Sequence, residues 1–440
     1  MKKVAFFTLG CKVNQYETEA ISETFKNNGY QIVDFEEFAD VYVINTCTVT
    51  NLSDRKSRQM IRRAKKNNED SIIAVVGCYA QTSPDEVMSI PGVNLVVGTK
   101  EKGKIVENIK MIESGKNKIN LVRDIMKTRE FEELGVEVYK ERTRAFIKIQ
   151  EGCSQFCSYC IIPYARGPIR SRPVEYVLDE VSKLAVNGYK EIVLTGIHIA
   201  SYGKDIKTTS LLDIIRKVHE IDGVERIRLG SIEPTTITPE FVDELGKLRK
   251  VCPHFHISLQ SGCDSTLKRM NRRYTTDEYR SSIELIRANI KDVSVTTDVM
   301  VGFPGETDEE FGETVKFLNE ISFAAMHVFK YSQRKGTPAA GFGNQISPEK
   351  KEERSNILIE LSSRKNREFN KSFEGRIMEV LVEQEVKGEN GLVEGLTPNY
   401  IRVLSKGKSD LCGKILKVKL DEAVEDYMIG QIENDSNKQR

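Results

Sequence analysis

The chain opens with short apolar runs separated by amphipathic stretches. Residues 4–8, 41–44, 72–76 and 93–97 read as strands buried on both faces, and helical periodicity occupies 16–27, 52–66 and 101–113. Alternation of this kind predicts a doubly wound α/β domain over residues 1–120. Residues 115–142 are charged and weakly periodic and read as a linker. Beyond it, strand patterns at 145–150, 191–195, 226–230, 255–260, 293–300 and 323–330 are separated by helical patterns at 174–187, 210–220, 239–249, 276–289 and 307–320. A repeated strand-helix unit requires parallel strands joined by crossovers. Six units fall short of the eight of a closed barrel, so a partial (β/α)6 barrel is expected within residues 140–370. A charged amphipathic helix at 348–371 leads to alternating stretches at 378–383, 392–396, 400–404 and 415–420, the pattern of a small antiparallel β-barrel over residues 373–437. The expected class is α/β with these three parts in order.

A length of 440 residues agrees with three domains, at roughly 150 residues each. The first residues run directly into a strand pattern, and no apolar run approaches the roughly 20 residues needed to span a bilayer. The chain is therefore expected to be soluble and cytoplasmic, without a membrane partner. Nine cysteines in such a compartment point to metal binding or catalysis, because reducing conditions do not sustain disulfides.

Cys153, Cys157 and Cys160 follow the first barrel strand with spacings that let three thiolates wrap one face of a metal cluster. A closed zinc site wants four ligands. An iron-sulfur cluster held by three cysteines leaves one iron open to bind something else. Cys11, Cys47 and Cys78 each lie just past the carboxyl end of a predicted strand. The carboxyl ends of a parallel sheet share one edge, so these three could converge on a second cluster, although buried structural thiols are an alternative from placement alone. Cys252, Cys263 and Cys412 have no ligand-like partners in sequence, and His198 and His256 are assigned no catalytic role.

The C-x3-C-x2-C spacing with Tyr159 before the last cysteine resembles the radical S-adenosylmethionine (radical SAM) superfamily. Thr8-Leu-Gly-Cys-Lys-Val-Asn-Gln-Tyr-Glu17 and Ile44-Asn-Thr-Cys-Thr-Val-Thr50 resemble the N-terminal signatures of its methylthiotransferases. The resemblance covers the whole chain and implies two 4Fe-4S clusters, one on Cys153, Cys157 and Cys160 and an auxiliary one on Cys11, Cys47 and Cys78. It also implies S-adenosylmethionine as radical source and methyl donor, held by Tyr159, Thr195, Gly196, Ser258, Gln260, Glu306, Arg166 and Arg172. Thr195 replaces the acidic residue usual in the motif after the second strand. Glycine at 196 can present backbone to a ligand, Ser258 and Gln260 suit a ribose, and Arg166, Arg170 and Arg172 suit phosphates or a carboxylate.

Family members act on isopentenyladenosine or threonylcarbamoyladenosine in tRNA, or on a ribosomal-protein aspartate, and the motifs here look most like the threonylcarbamoyladenosine branch. The implied reaction adds a methylthio group to C2 of the adenine in the anticodon loop. Its implied partners are tRNA, a low-potential electron donor such as flavodoxin or ferredoxin, and a sulfur source. A non-catalytic iron-sulfur RNA-binding protein is the alternative from a different class. Two basic stretches bear on the RNA. Arg55, Lys56, Arg58, Arg62, Arg63, Lys65 and Lys66 crowd one helix, and residues 268–273 form a second patch that serves substrate or surface equally well. The C-terminal barrel resembles the TRAM domain, yet residues 375–437 carry 8 Lys or Arg against 12 Asp or Glu. Only the half bearing Arg402, Lys406, Lys408, Lys414, Lys417 and Lys419 is expected to touch RNA.

Overall fold

The computed structural model describes residues 1–136, 143–389 and 391–433. Strands β1 (Lys3–Thr8), β2 (Gln31–Val33), β3 (Val41–Thr46), β4 (Ile72–Gly77), β5 (Val93–Val97) and β6 (Ile119–Asn120) form one parallel sheet in the order β2-β1-β3-β4-β5-β6. Apolar clusters cover both of its faces, which is why its strands read as unbroken hydrophobic runs. In this order β1 and β3 are neighbours whose connections leave in opposite directions along the sheet, and a crevice opens between their carboxyl ends. Helix α1 (Lys12–Asn27) follows β1 and α2 (Asn51–Asn67) follows β3. Thr50 caps α2 by accepting from the Ser53 amide.

The charged stretch expected to be a linker is docked instead. β6 adds to the first sheet, Val136 enters the core of the second domain, and Glu133 pairs with Arg172. The remainder of that expectation, residues 137–142, lies outside the described residues.

The central domain has six parallel strands: β7 (Arg144–Glu151), then, after the short antiparallel β8 (Arg170–Ser171), β9 (Glu191–Gly196), β10 (Arg226–Leu229), β11 (His254–His256), β12 (Ser294–Val301) and β13 (Ala325–Lys330). They form the sheets β10-β9-β7-β8 and β11-β12-β13, joined by bridges between Ile227 and Val251 and between Ile232 and Ile257. Among the described residues β13 and β7 do not pair, so the partial barrel is open on one side, where α1 packs against β7 and β9. Thr307 closes a capping box with Glu310 at the start of the helix Asp308–Ile321.

The last domain is a closed barrel of β14 (Ile377–Glu385), β15 (Leu392–Leu396), β16 (Arg402–Lys406), β17 (Ile415–Val424) and β18 (Tyr427–Ile432), in the order β14-β15-β16-β18-β17. β18 is a fifth strand that the alternation did not single out, and its pairing with β16 is parallel within an otherwise antiparallel barrel. The turn between β15 and β16 plugs the amino-terminal end of the partial barrel. Arg226 donates to the Leu396 carbonyl and Arg228 to that of Pro398, each at 3.0 Å. The Tyr400 ring stacks on His254 with centroids 4.4 Å apart. No helix among the described residues is long and apolar enough to cross a membrane.

Candidate active site

The loop after β7 is shaped by a glycine. Gly152 has φ +73°, and a side chain there would run into the Pro168 carbonyl. Cys153 follows it, and a turn donating the Cys160 amide to the Cys157 carbonyl at 2.9 Å gathers the other two cysteines. Burial pushes the Cys153 thiol up to about 11 and the Cys160 thiol up to about 12. Arg272 supplies positive charge here, donating to the Cys157 Sγ at 3.3 Å and pairing with Glu233 at 3.1 Å. This arginine belongs to the 268–273 patch, which is therefore not simply surface.

The second set of cysteines lies at the β1/β3 crevice. Cys11 stands at the start of α1, and a side chain at the preceding Gly10 would meet the Cys47 sulfur at 3.2 Å, so the Cys47 side chain packs against the turn that carries Cys11. Cys78 begins the short helix after β4. Its thiol is pushed up to about 12 by burial, against the pull of Arg166, whose Nε donates to its sulfur at 3.2 Å. The two sites thus share a device: one buried arginine directed at one cysteine sulfur. Around Arg166 stands a network of buried charges. Its guanidinium reaches Glu17 at 2.6 Å and Glu151 at 2.8 Å, while Lys148 and Lys102 each reach Glu17 at 3.1 Å. Burial opposes ionisation of Glu17, but Arg166, Lys102 and Lys148 outweigh it and hold the carboxyl low. Three cations on two carboxylates leave a net positive charge beside Cys78.

Two chambers that share part of their lining each reach one cysteine, Cys160 in the smaller and Cys11 in the larger. One, of about 220 Å³, is lined by Tyr159, Cys160, Gln260, Met300 and Tyr331 together with Val49 and Thr50 of the Cys47 loop. The other, of about 540 Å³, runs through the barrel interior from Cys11 and Lys12 past Thr195, Gly196, His256 and His327 to Tyr400. Asp298 and Phe329 line both. The Cys47 loop is fastened to the end of β13, because Arg334 donates to Thr48 and Asp54, each at 2.6 Å.

Of the residues expected at the cofactor, Tyr159 and Gln260 line the smaller chamber and Thr195 and Gly196 the larger, while Ser258 shares one face of its segment with His256 and Gln260 by strand alternation. Three expectations need correction. Arg166 is saturated by Glu17, Glu151, Asn14 and Cys78, which places it at the auxiliary cysteines and not at a cofactor carboxylate. Arg172 is engaged by Glu133 and Glu180 between the docked segment and a barrel helix. Glu306 is buried against Arg354 and the Gly302 amide and lines neither chamber. Lys12, Arg272, His327 and Tyr400 are residues that the sequence reading did not single out. Cys412 is half-buried, while Cys252 and Cys263 are buried as expected.

The donor set fits iron-sulfur clusters: thiols only, three at each site, each set beside an arginine that offsets anionic charge. Among the described residues no three His, Cys, Asp or Glu side chains are gathered tightly enough for a single metal ion, and ligands around a cluster stand farther apart than ligands of one ion.

A partial (β/α)6 barrel carrying three cysteines after its first strand defines the radical SAM class. Residues 147–318 match the Radical SAM superfamily and residues 3–98 match the uncharacterized protein family UPF0004. Over 98% of its length the chain is 48% identical to the threonylcarbamoyladenosine tRNA methylthiotransferase MtaB of Bacillus subtilis (strain 168), covering 96% of that protein. It is 36% identical to the tRNA-2-methylthio-N(6)-dimethylallyladenosine synthase of Clostridium beijerinckii, over 98% of this chain and 96% of that one. In fold it is similar to the radical S-adenosylmethionine methyltransferase TsrM from Kitasatospora setae, with a TM-score of 0.58, 16% identity and 77% of each chain covered. The chain belongs to the radical SAM tRNA methylthiotransferases of the MtaB type. With that membership come S-adenosylmethionine and two 4Fe-4S clusters.

Proposed function

We propose that this enzyme methylthiolates C2 of N6-threonylcarbamoyladenosine next to the anticodon, with the radical SAM cluster on Cys153, Cys157 and Cys160 and the auxiliary cluster on Cys11, Cys47 and Cys78. The observation that carries this reading is that Cys160 lines the smaller chamber, Cys11 lines the larger one, and the two chambers share Asp298 and Phe329. When bound, these groups supply a radical able to remove hydrogen from an unactivated carbon, and sulfur and methyl for the product, chemistry beyond side chains alone. The protein's own residues position and shield. Tyr159, Met300 and Tyr331 give the smaller chamber flat apolar walls suited to the adenine of S-adenosylmethionine. Thr195 and Gly196 offer polar groups on the larger side, and Tyr400 with its arginine partners closes the floor against water.

The substrate assignment draws on the higher identity to the MtaB protein than to the dimethylallyladenosine enzyme. Isopentenyladenosine and a ribosomal-protein aspartate are the alternatives. For tRNA, we assign α2 and the basic half of the TRAM-like last barrel. Arg55, Lys56, Arg62 and Lys66 are exposed and form no ion pair among the described residues, whereas Arg58 pairs with Glu86 and Arg63 with Glu36. Lys406, Lys408, Lys414, Lys417 and Lys419 are likewise exposed, whereas Arg402, also exposed, is paired with Glu394. A low-potential donor such as flavodoxin or ferredoxin, a sulfur source and a cytoplasmic setting complete the reading. The test is anaerobic: reconstituted enzyme, reductant, S-adenosylmethionine and tRNA carrying threonylcarbamoyladenosine, with nucleosides weighed by mass spectrometry. A methylthio increment on that nucleoside is expected. Its absence, with 5′-deoxyadenosine still formed, would overturn the substrate.

A further inference from the structure

The larger chamber contains a cation that no hydrogen bond or ion pair holds among the described residues. Its floor is balanced: Arg228 holds Glu191 at 2.7 Å, and Arg144 pairs with Glu383. Its one lining carboxylate, Asp298, is engaged by His256 at 3.2 Å. Lys12 is the only Lys or Arg lining the chamber among the described residues, and it forms no ion pair or hydrogen bond with any of them. Its ammonium lies 5.8 Å from the Phe146 ring centroid, a contact that does not neutralise it. Lys12 faces Tyr400 and Glu191 but also Arg144 and Arg228, and burial with the two arginines disfavours its charge, so an anionic group entering the chamber would be favoured beside it. The surrounding wall is polar, with Thr195, Ser231, Thr296 and His327 offering hydroxyl and imidazole groups.

We propose that Lys12 determines specificity for the substituent on the adenine, pairing with the carboxylate of the threonylcarbamoyl group; this rests on the substrate reading above. Two arguments support it. Lys12 follows Cys11 directly, so it stands beside the group that would deliver sulfur to C2. C2 and the carbon bearing N6 flank the same ring nitrogen, so a residue close to C2 is within reach of a substituent on N6. An isopentenyl group, by contrast, would leave Lys12 desolvated and unpaired, and a site built for a polar group discriminates strongly against an apolar one. Lys12 acts by charge and position and takes no part in bond making.

The test is a double-mutant cycle on protein and ligand. Anticodon stem-loops bearing threonylcarbamoyladenosine or its methyl ester, which lacks the negative charge, are titrated into cluster-loaded wild type, Lys12→Gln and Lys12→Arg, with affinity read by fluorescence anisotropy. Wild type should bind the acid at least tenfold more tightly than the ester; Lys12→Gln should bind the two within twofold, and Lys12→Arg should recover part of the preference. The ratio of kcat/KM on threonylcarbamoyladenosine to that on isopentenyladenosine should fall at least tenfold in Lys12→Gln. A variant that keeps the acid preference overturns the proposal. Loss of tRNA-independent S-adenosylmethionine cleavage in Lys12→Gln, with the acid preference intact, would instead assign Lys12 to the cofactor. If wild type itself methylthiolates no threonylcarbamoyladenosine, the substrate reading fails first.

Discussion

Replacing Arg166 by methionine tests whether the buried network holds the auxiliary site together. The substitution keeps side-chain bulk and removes the guanidinium that joins Glu17, Glu151, Asn14 and Cys78. At an effective dielectric of about 20, each ion pair at close range attracts by roughly 5 kcal/mol. Burying each ion costs several kcal/mol in return, so the pair as formed is close to balanced. Truncating one partner upsets that balance, because Glu17 and Glu151 lose the guanidinium they share and keep only the single-point contacts of Lys102 and Lys148. The expected loss is about 3–5 kcal/mol, the range for breaking a buried ion pair by removing one partner. Thermal unfolding of cluster-free protein should show it in the first transition. A second substitution, Glu17→Gln, changes the carboxylate that Arg166 grips at both oxygens, so the two changes should be non-additive by more than about 0.5 kcal/mol. A loss under about 1 kcal/mol, or strict additivity, would refute the network as a structural unit.

Three further outcomes follow from the geometry. Gly152→Ala should abolish iron binding by the Cys153 loop, measured as iron per chain, because the new Cβ collides with the Pro168 carbonyl at a backbone angle that only glycine adopts freely. Tyr400→Ala should cost about 3–5 kcal/mol in docking of the last barrel, by removing the His254 stack and the Arg228 contact at 4.7 Å, and limited proteolysis should release that barrel faster than in wild type. Reversing Arg55 and Lys56 together to Glu should weaken tRNA binding and lower the slope of log affinity against log salt by about 1.4, at roughly 0.7 per lost phosphate contact on single-stranded RNA.

What the sequence revealed and what it hid divide along a physical line. The cysteines at 11, 47 and 78 could be grouped before any coordinates, because a parallel sheet forces every carboxyl end to one edge. The partial barrel followed from counting strand-helix units. Side-chain partners were hidden wherever they come from remote segments. Arg166 sits in a run that reads as anion-gripping, but Glu17, 149 positions earlier, claims it. Arg172 and Glu306 were misplaced for the same reason, since the docked segment and the long helix Pro348–Lys371 supply their partners. Arg272 was visible only as one charge in a patch. Tyr400 gave no signal because its role depends on how one domain docks on another, and β18 was missed because Gly430 interrupts its alternation. Lys12 gave no signal because its place in the chamber depends on how α1 packs on the barrel strands β7 and β9.

The central claim is a division of labour between two cysteine sets that share one reaction space. Cys157→Ala and Cys47→Ala, each reconstituted anaerobically and assayed side by side for 5′-deoxyadenosine and for methylthiolated nucleoside, test it most directly. The account predicts that Cys157→Ala yields neither product, while Cys47→Ala still cleaves S-adenosylmethionine and forms no methylthiolated tRNA. Methylthiolated tRNA from the Cys47 variant would contradict it.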